Sequence, residues 1–248
     1  MPRYSVSDAL VLRRTPLPSG DVVVTLLSAH GKWRAVARKG RLLGGNLARL
    51  SLFHDVTVQA YRRRDDDLAV LTQVRLNGAL PGLTRPEAYP YAHLLAELTD
   101  ALTVDVHIGE RLVGVVASGL RGVASHHDPE AVALAYAWHL IGLAGLAPRV
   151  SSDDPPRCER CDAAASVLAV EAGALHCREH AADPRDVWLG VAGAATLALA
   201  VRGPLRRSVA SPPEERPRAW RALQSYLREH VSDLQALRTL ASPAAGAA

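Results

Sequence analysis

Alternation of apolar and polar residues in the first third of the chain indicates β-strands. Five short segments are rich in Val, Leu, Ala and Thr, and clusters of Gly, Pro, Asn and Asp separate them. Five strands in about 70 residues are typical of a small closed barrel such as the OB-fold. The predicted strands span residues 8–14, 22–27, 32–38, 56–61 and 68–74.

The hydrophobic period changes to that of a helix after Pro81. From residue 87 onward, apolar residues recur every third or fourth position, and Asp128 before Pro129 has the pattern of an N-cap followed by a first-turn proline. Helices are predicted from residue 87, over 109–122, from Pro129, over 187–201 and over 217–240. The chain is therefore predicted to be an α+β protein: an OB-fold β-barrel domain (1–80), then an all-α domain (81–248) with a zinc knuckle inserted at 155–183.

Charge divides the chain in the same way. Residues 1–80 hold 13 Lys or Arg against 6 Asp, a net charge of +7, whereas the whole chain of 248 residues carries +4. The remaining residues therefore carry −3. A basic module on a slightly acidic body is the distribution expected of a nucleic-acid-binding protein.

Basic residues cluster within this module in a way that predicts phosphate contacts. Trp33 is embedded among them, but alternation along a strand places it on the face opposite Lys32 and Arg34, which favours a core position over a stacking one. The run Arg62–Arg64 is followed at once by three aspartates, so a solvated hairpin turn is favoured there. The predicted nucleic-acid-binding residues are Arg13, Arg14, Lys32, Arg34, Arg38, Lys39, Arg41 and Arg49.

All three cysteines of the chain lie within 20 residues, in the pattern Cys158-x-x-Cys161 followed by Cys177-x-x-His180. Two such pairs about 15 to 20 residues apart are typical of a tetrahedral zinc site. The sequence predicts one structural Zn²⁺ per chain, with a β-hairpin joining the two knuckles. His176 is a rival fourth ligand, but its position next to Cys177 is poor for a knuckle.

Alternatives to a structural zinc are weaker. A redox Cys-x-x-Cys would need a thioredoxin-like βαβ pattern, which is not seen, and a catalytic zinc would need Glu159 or Glu179 as a general base. Residues 126–128 could suggest a metal pair, but a cap for the helix at Pro129 is favoured.

The ordered set of motifs resembles the RecO family of bacterial recombination-repair mediators. The similar stretches are Asp8–Arg14, Ser19–Gly40 and His139–Pro148, followed by the Cys-x-x-Cys pair and Cys177. Two departures are His180 where many members have a fourth cysteine, and Ser19-Gly-Asp21 in place of an acidic Glu near the second strand.

The resemblance implies a non-catalytic protein that binds single- and double-stranded DNA and anneals complementary strands. It also implies partnership with RecR, contact with the C-terminal tail of single-strand-binding protein and indirect help in loading RecA. No P-loop, nucleophile elbow or His-Glu-x-x-His motif is present in the sequence. A zinc-dependent nucleic-acid enzyme and a DNA-binding regulator remain as competing hypotheses.

The sequence predicts a cytoplasmic, nucleoid-associated protein that has no membrane as a partner. The N-terminal residues lack the apolar segment of a signal peptide. The longest apolar run, 187–201, is shorter than the roughly 18 to 20 residues needed to span a bilayer.

Overall fold

A computed structural model describes residues 3–39, 48–64, 68–103, 110–202, 205, 212–231 and 234–235. Its first five strands form a closed barrel in the order β1-β2-β3-β5-β4, in which β3 and β5 pair in parallel and the other neighbours are antiparallel. This arrangement confirms the predicted N-terminal barrel. The strands are β1 (Arg3–Pro16), β2 (Val22–Ser28), β3 (Gly31–Ala37), β4 (Asp55–Arg62) and β5 (Ala69–Gly78).

The interior of the barrel follows from the two-residue period of its strands. In β4, Val56, Val58 and Ala60 are buried and point inward, while the residues between them are half-buried on the outer face. Strand β2 is buried on both faces because its outer residue Leu27 packs against the helices. The barrel is therefore seated on the helical part through an apolar contact.

Within the described residues five helices follow the barrel, and α3 (Pro129–Leu143) lies at their centre, with buried residues all round it. It begins where the sequence predicts, because the Asp128 carboxylate accepts a hydrogen bond from the Ala131 N–H at 3.1 Å and Pro129 occupies the first turn. The helices are α1 (Tyr89–Leu102), α2 (Glu110–Ser125), α3 (Pro129–Leu143), α4 (Gly190–Arg202) and α5 (Arg216–His230).

A small antiparallel sheet follows α3 and precedes α4 along the chain. It comprises β6 (Val167–Ala169), β7 (Ala174–His176) and β8 (Val187–Trp188), in the order β7-β6-β8. The predicted hairpin between the two Cys-containing segments is thus confirmed. Leu168 and Leu175 from this sheet are fully buried in the same core as the helices, so the sheet is part of the helical body's packing.

Two helix predictions need correction. The predicted helix 187–201 is wrong at its start, because Val187 and Trp188 pair with β6 and α4 begins only at Gly190, which adopts a φ of +74°. The predicted helix 217–240 is too long at its C-terminus, since α5 ends at His230; residues 232–233 and 236–240 lie outside the described residues.

One core cluster contains residues of both the barrel strands and the helices, among them Leu10, Leu12, Phe53 and Leu98. The division of the chain into domains 1–80 and 81–248, with an insert at 155–183, therefore remains a prediction. None of the described helices has the length and apolar character needed to cross a membrane.

Candidate nucleic-acid interface and metal centre

Two of the predicted basic residues, Arg13 of β1 and Arg34 of β3, lie on the outer face of the barrel on either side of β2. Arg13 pairs with Thr25 across β1 and β2, and Thr25 pairs with Arg34 across β2 and β3. Directly opposed residues share a face, so both arginines flank Thr25, with backbones about 10 Å apart across two strand spacings. Both side chains are exposed. This face is able to neutralise phosphates without any rearrangement of the barrel.

Strand β3 extends the basic face toward the end of the barrel. Its inward residues Ala35 and Ala37 are buried, and Trp33 on the same side packs partly against the barrel interior. Trp33 is thus half-buried on the inner side of β3, the side that the alternation predicts. Arg34 and Arg38 follow the opposite, outward period, and both are exposed.

Lys32 has a partner within the protein that the sequence did not reveal. Its Nζ lies 2.8 Å from Asp100 Oδ1 and donates to the Asp100 carbonyl at 2.7 Å, and both side chains are about a quarter exposed or less (21% and 26%). This ion pair joins β3 to the C-terminal half of α1. Lys32 is thus placed where it contributes to packing between the barrel and the helices.

Four of the predicted residues, Arg13, Arg14, Lys39 and Arg49, differ in their surroundings. Arg13 and Arg14 line a cleft of about 530 Å³ against α1, which also presents Glu97 and Asp100. Lys39 is exposed and adopts a φ of +50°, and its N–H donates to Asp21 Oδ1 at 2.7 Å. Arg49 is also exposed, whereas Arg41 lies outside the described residues.

The Lys39 contact gives Asp21 a structural role. Its carboxylate accepts the Lys39 N–H and so holds the start of the turn that follows β3, although the resemblance expects a different acidic residue near this position. An Asp carboxylate that accepts a main-chain N–H commonly stabilises such a left-handed turn.

A further basic cleft lies where the sequence favoured only a solvated turn. Arg63, which follows β4, lines a cavity of about 490 Å³ together with Arg38 and Tyr61. Sequence reasoning missed this grouping because Arg38 and Arg63 are 25 positions apart and meet only through the parallel pairing of β3 with β5. The signal in the sequence for such a cleft was Tyr61, the aromatic residue immediately before the arginine run.

The Cys and His residues of the predicted zinc knuckle meet at one point. The ligand atoms of Cys158, Cys161, Cys177 and His180 all lie within 4.8 Å of one another. The Cys161 and Cys177 sulfurs are 3.7 Å apart, too far for a disulfide, and His180 Nδ1 lies 3.3 Å from Cys177 Sγ.

These separations match a tetrahedral zinc site. Zn–S bonds of about 2.3 Å and Zn–N bonds of about 2.0 Å at tetrahedral angles place two sulfurs about 3.8 Å apart and a sulfur and a nitrogen about 3.5 Å apart. The observed Cys158 Sγ to His180 Nδ1 distance is 3.5 Å. The four residues present therefore fit a four-coordinate metal with no position left for water.

Local backbone structure brings the four ligands together. In the first knuckle, the Arg160 N–H donates a hydrogen bond to Cys158 Sγ at 3.4 Å. In the second knuckle, a single 3₁₀ turn over Arg178–His180 places His180 close to Cys177. Burial raises the pKa of the Cys158 thiol, but backbone groups and the His180 ring outweigh that effect and lower it to about 6. A thiolate at this position is available to a cation at neutral pH.

The second thiol shows why a cation is needed. A backbone hydrogen bond at Ala163 lowers the pKa of Cys161, but burial and the neighbouring Cys158 and Cys177 raise it more, and the net direction is upward. Several thiolates gathered at this separation repel one another. A bound divalent ion removes that repulsion, so the donor set is suited to a metal.

His176 supports the cluster from outside it. The His176 ring is buried, its Nδ1–H donates to the His180 carbonyl at 3.1 Å, and its Nε2 lies 3.4 Å from Glu159 Oε2. The structure thus places His180, and not His176, beside the three thiols. Glu159 is in turn paired with Arg149, so it is held away from the role of a general base.

The chain thus joins a closed OB-type barrel with a basic outer face to a helical body that carries a Cys₃His cluster. Comparison with known protein families assigns both parts. Residues 1–79 match the model described as "Recombination protein O N terminal", and residues 83–239 match "Recombination protein O C terminal". The chain belongs to the RecO family.

Two curated relatives agree with this assignment. The chain is 31% identical over 150 residues to the "DNA repair protein RecO" of Bifidobacterium animalis subsp. lactis (strain AD011), an alignment that covers 58% of this chain and 62% of the relative. It is 29% identical over 147 residues to the protein of the same name from Roseiflexus sp. (strain RS-1), covering 58% and 51%. The alignments thus span between half and two thirds of the length of these relatives.

Proposed function

We propose that the chain is a non-catalytic DNA-binding protein of recombinational repair, and that the outer face of β1–β3 is its main DNA contact. The observation that carries this proposal is the exposure of Arg13, Arg34 and Arg38 on that face. Membership of the RecO family, whose curated relatives are named DNA repair proteins, supports the repair role.

The mechanism follows from the chemistry of the basic face. Guanidinium groups bind phosphate oxygens with charge-assisted hydrogen bonds and with little regard to base sequence, so single-stranded and duplex DNA are both ligands. When cations on this face neutralise phosphates of two complementary strands, repulsion between the strands falls and base pairing proceeds. Strand annealing therefore requires no chemical step.

We further propose that the Cys₃His cluster holds one structural Zn²⁺ per chain. Three thiolates and one imidazole nitrogen are ligands that zinc prefers, all four ligand atoms lie within 4.8 Å of one another, and the Cys158–His180 and Cys161–Cys177 distances match a tetrahedral site. When bound, the metal would crosslink the two knuckles and offer no open position for catalysis. Cys158, Cys161, Cys177 and His180 would hold it.

The partners proposed for the chain rest on its family. They are RecR, the C-terminal tail of single-strand-binding protein and, indirectly, RecA, all in the cytoplasm and in association with the nucleoid. We infer that protein partners bind the helical body, because the barrel is assigned to DNA.

A charge-reversal experiment tests the proposed DNA contact. Arg13→Glu, Arg34→Glu and Arg38→Glu are combined in one variant, and fluorescence anisotropy measures its affinity for labelled single-stranded and duplex DNA. A matched control reverses Arg111, Arg121 and Arg221, three exposed arginines of the helical body, and so carries the same change in net charge. We expect the barrel variant to lose binding and the control to retain most of it. Equal binding by the two variants would contradict the proposal.

A further inference from the structure

Four outward-facing residues form a row across four strands of the barrel. Tyr4 of β1 is the direct partner of Tyr61 in β4, Tyr61 is the partner of Val70 in β5, and Val70 is the partner of Val36 in β3. Because directly opposed residues share a face of the sheet, all four side chains lie on the outside of the barrel. The row begins with two aromatic rings and ends beside the basic face of β3.

The two tyrosines present aromatic surface to solvent. Their ring centroids are 5.9 Å apart with planes inclined at 35°, and Tyr4 is 65% exposed. Neither side chain belongs to the apolar clusters of the barrel or of the helical body. An exposed aromatic pair of this kind contributes little to the core, but it offers flat faces to a ligand.

Cations flank the aromatic pair. Arg38, which follows β3, and Arg63, which follows β4, line the cavity of about 490 Å³ whose wall includes Tyr61. Its remaining lining is apolar (Val36, Leu68 and Val70), and no acidic residue lines it among those that the structure describes. The site therefore combines positive charge, an apolar floor and aromatic rings within one small region.

We propose that Tyr4 and Tyr61 form a stacking platform for unpaired bases and that Arg38 and Arg63 hold the adjoining phosphates. This inference rests on the proposed function and makes it more specific, because it assigns single-stranded DNA to this end of the barrel. The bases of a duplex are already stacked on one another, whereas the bases of a single strand can stack on a side chain. Arg34 continues the path of positive charge from this cleft along β3.

A base-dependent binding experiment tests the platform. The full-length Tyr4→Ala/Tyr61→Ala variant is titrated with labelled oligo-dT and with an abasic strand of equal length, which keeps the phosphates but lacks bases. Stacking of one base on an aromatic ring is lost, so we expect binding to oligo-dT to weaken by about 5- to 160-fold. Binding to the abasic strand and to duplex DNA should change by less than about 2-fold, since their phosphates are unaffected.

Two controls separate stacking from other effects. Tyr4→Phe/Tyr61→Phe keeps both rings and should bind oligo-dT like the wild type. Tyr89→Ala removes an exposed tyrosine from α1, outside the row, and should have no effect on DNA binding. Full oligo-dT binding by the double alanine variant, or an equal loss on the abasic strand, would overturn the platform while leaving the proposed DNA contact intact. Absence of DNA binding by the wild type would overturn both.

A measurement on the unmodified protein guards against misfolding of the variants. Ultraviolet cross-linking of the wild type to a strand containing 5-bromodeoxyuridine should attach the base to peptides that contain Tyr4 or Tyr61. Cross-links confined to other parts of the chain would overturn the assignment.

Discussion

Loss of the proposed zinc is predicted to destabilise the whole helical body rather than the Cys₃His segment alone. The Cys158→Ser variant removes one of four ligands and leaves two thiols and an imidazole that cannot complete a tetrahedron. The reason for the wider effect is packing: Leu168, Val170 and Leu175, which lie between the two knuckles, are buried in the same core as α3 and α5.

The expected magnitude comes from those side chains and from Val187, which is also buried in this core. Each buried Val or Leu contributes about 1.5–3 kcal/mol relative to an exposed one, so detachment of all four would cost roughly 6–12 kcal/mol. That is comparable to the total stability of a typical domain, about 5–15 kcal/mol. For a chain of this size, even the lower figure corresponds to a fall in Tm of at least about 10 °C.

The assay is thermal unfolding followed by circular dichroism at a wavelength that reports helix, with zinc content measured on the same samples. Glu179→Gln is the matched control, because Glu179 is exposed and adjacent to the ligand His180. We expect the Cys158→Ser variant to lose about one zinc per chain and its helical signal to melt early, while the control behaves like the wild type. Loss of zinc with an unchanged helical Tm would refute the argument from shared packing.

Three further predictions concern single contacts. Lys32→Gln should lower the free energy of unfolding by about 1–3 kcal/mol in chemical denaturation, because it leaves Asp100 without its half-buried partner, whereas an Arg34→Gln control should leave stability unchanged. Asp128→Ala should lower the free energy of unfolding by about 2–5 kcal/mol, because Asp128 caps α3 and pairs with the largely buried Arg216. Asp128→Asn keeps an oxygen that can cap the helix, so it should lower the free energy of unfolding by less. Equal losses in the two variants would contradict the separate roles of cap and ion pair. Zinc content should be complete at pH 8 and fall on acidification, because protons compete with the metal for the ligand thiolates. The pKa of the Cys158 thiol in the metal-free protein is lowered from 9.0 to about 6, so its thiolate is already available to the metal at pH 8. A zinc content that stays constant from pH 8 to pH 3 would contradict this expectation.

The barrel and the metal cluster were predictable because their signals are local. Five alternating segments and the pairs Cys158-x-x-Cys161 and Cys177-x-x-His180 lie within short stretches of sequence. The β8 strand was missed because Val187–Leu189 runs directly into an apolar helix, and only the left-handed conformation of Gly190 marks the boundary.

The contacts that the sequence could not reveal join distant parts of the chain. Lys32 meets Asp100 across 68 positions, and Val36 meets Val70 through a parallel pairing that periodicity does not encode. The basic cleft around Tyr61 depends on that pairing. For the same reason, the sequence predicted a knuckle inserted into the helical domain but not that Leu168 and Leu175 would make it part of the main core.

The salt dependence of DNA binding tests the central claim, that cations on the outer face of β1–β3 bind DNA through its phosphates. The dissociation constant for a single-stranded oligonucleotide is measured at several salt concentrations for the wild type and for the Arg13→Gln/Arg34→Gln/Arg38→Gln variant. Each phosphate contact on a single strand contributes about 0.7 to the slope of log affinity against log salt, so the variant's slope should be shallower by about 2. Identical slopes for the two proteins would contradict the account.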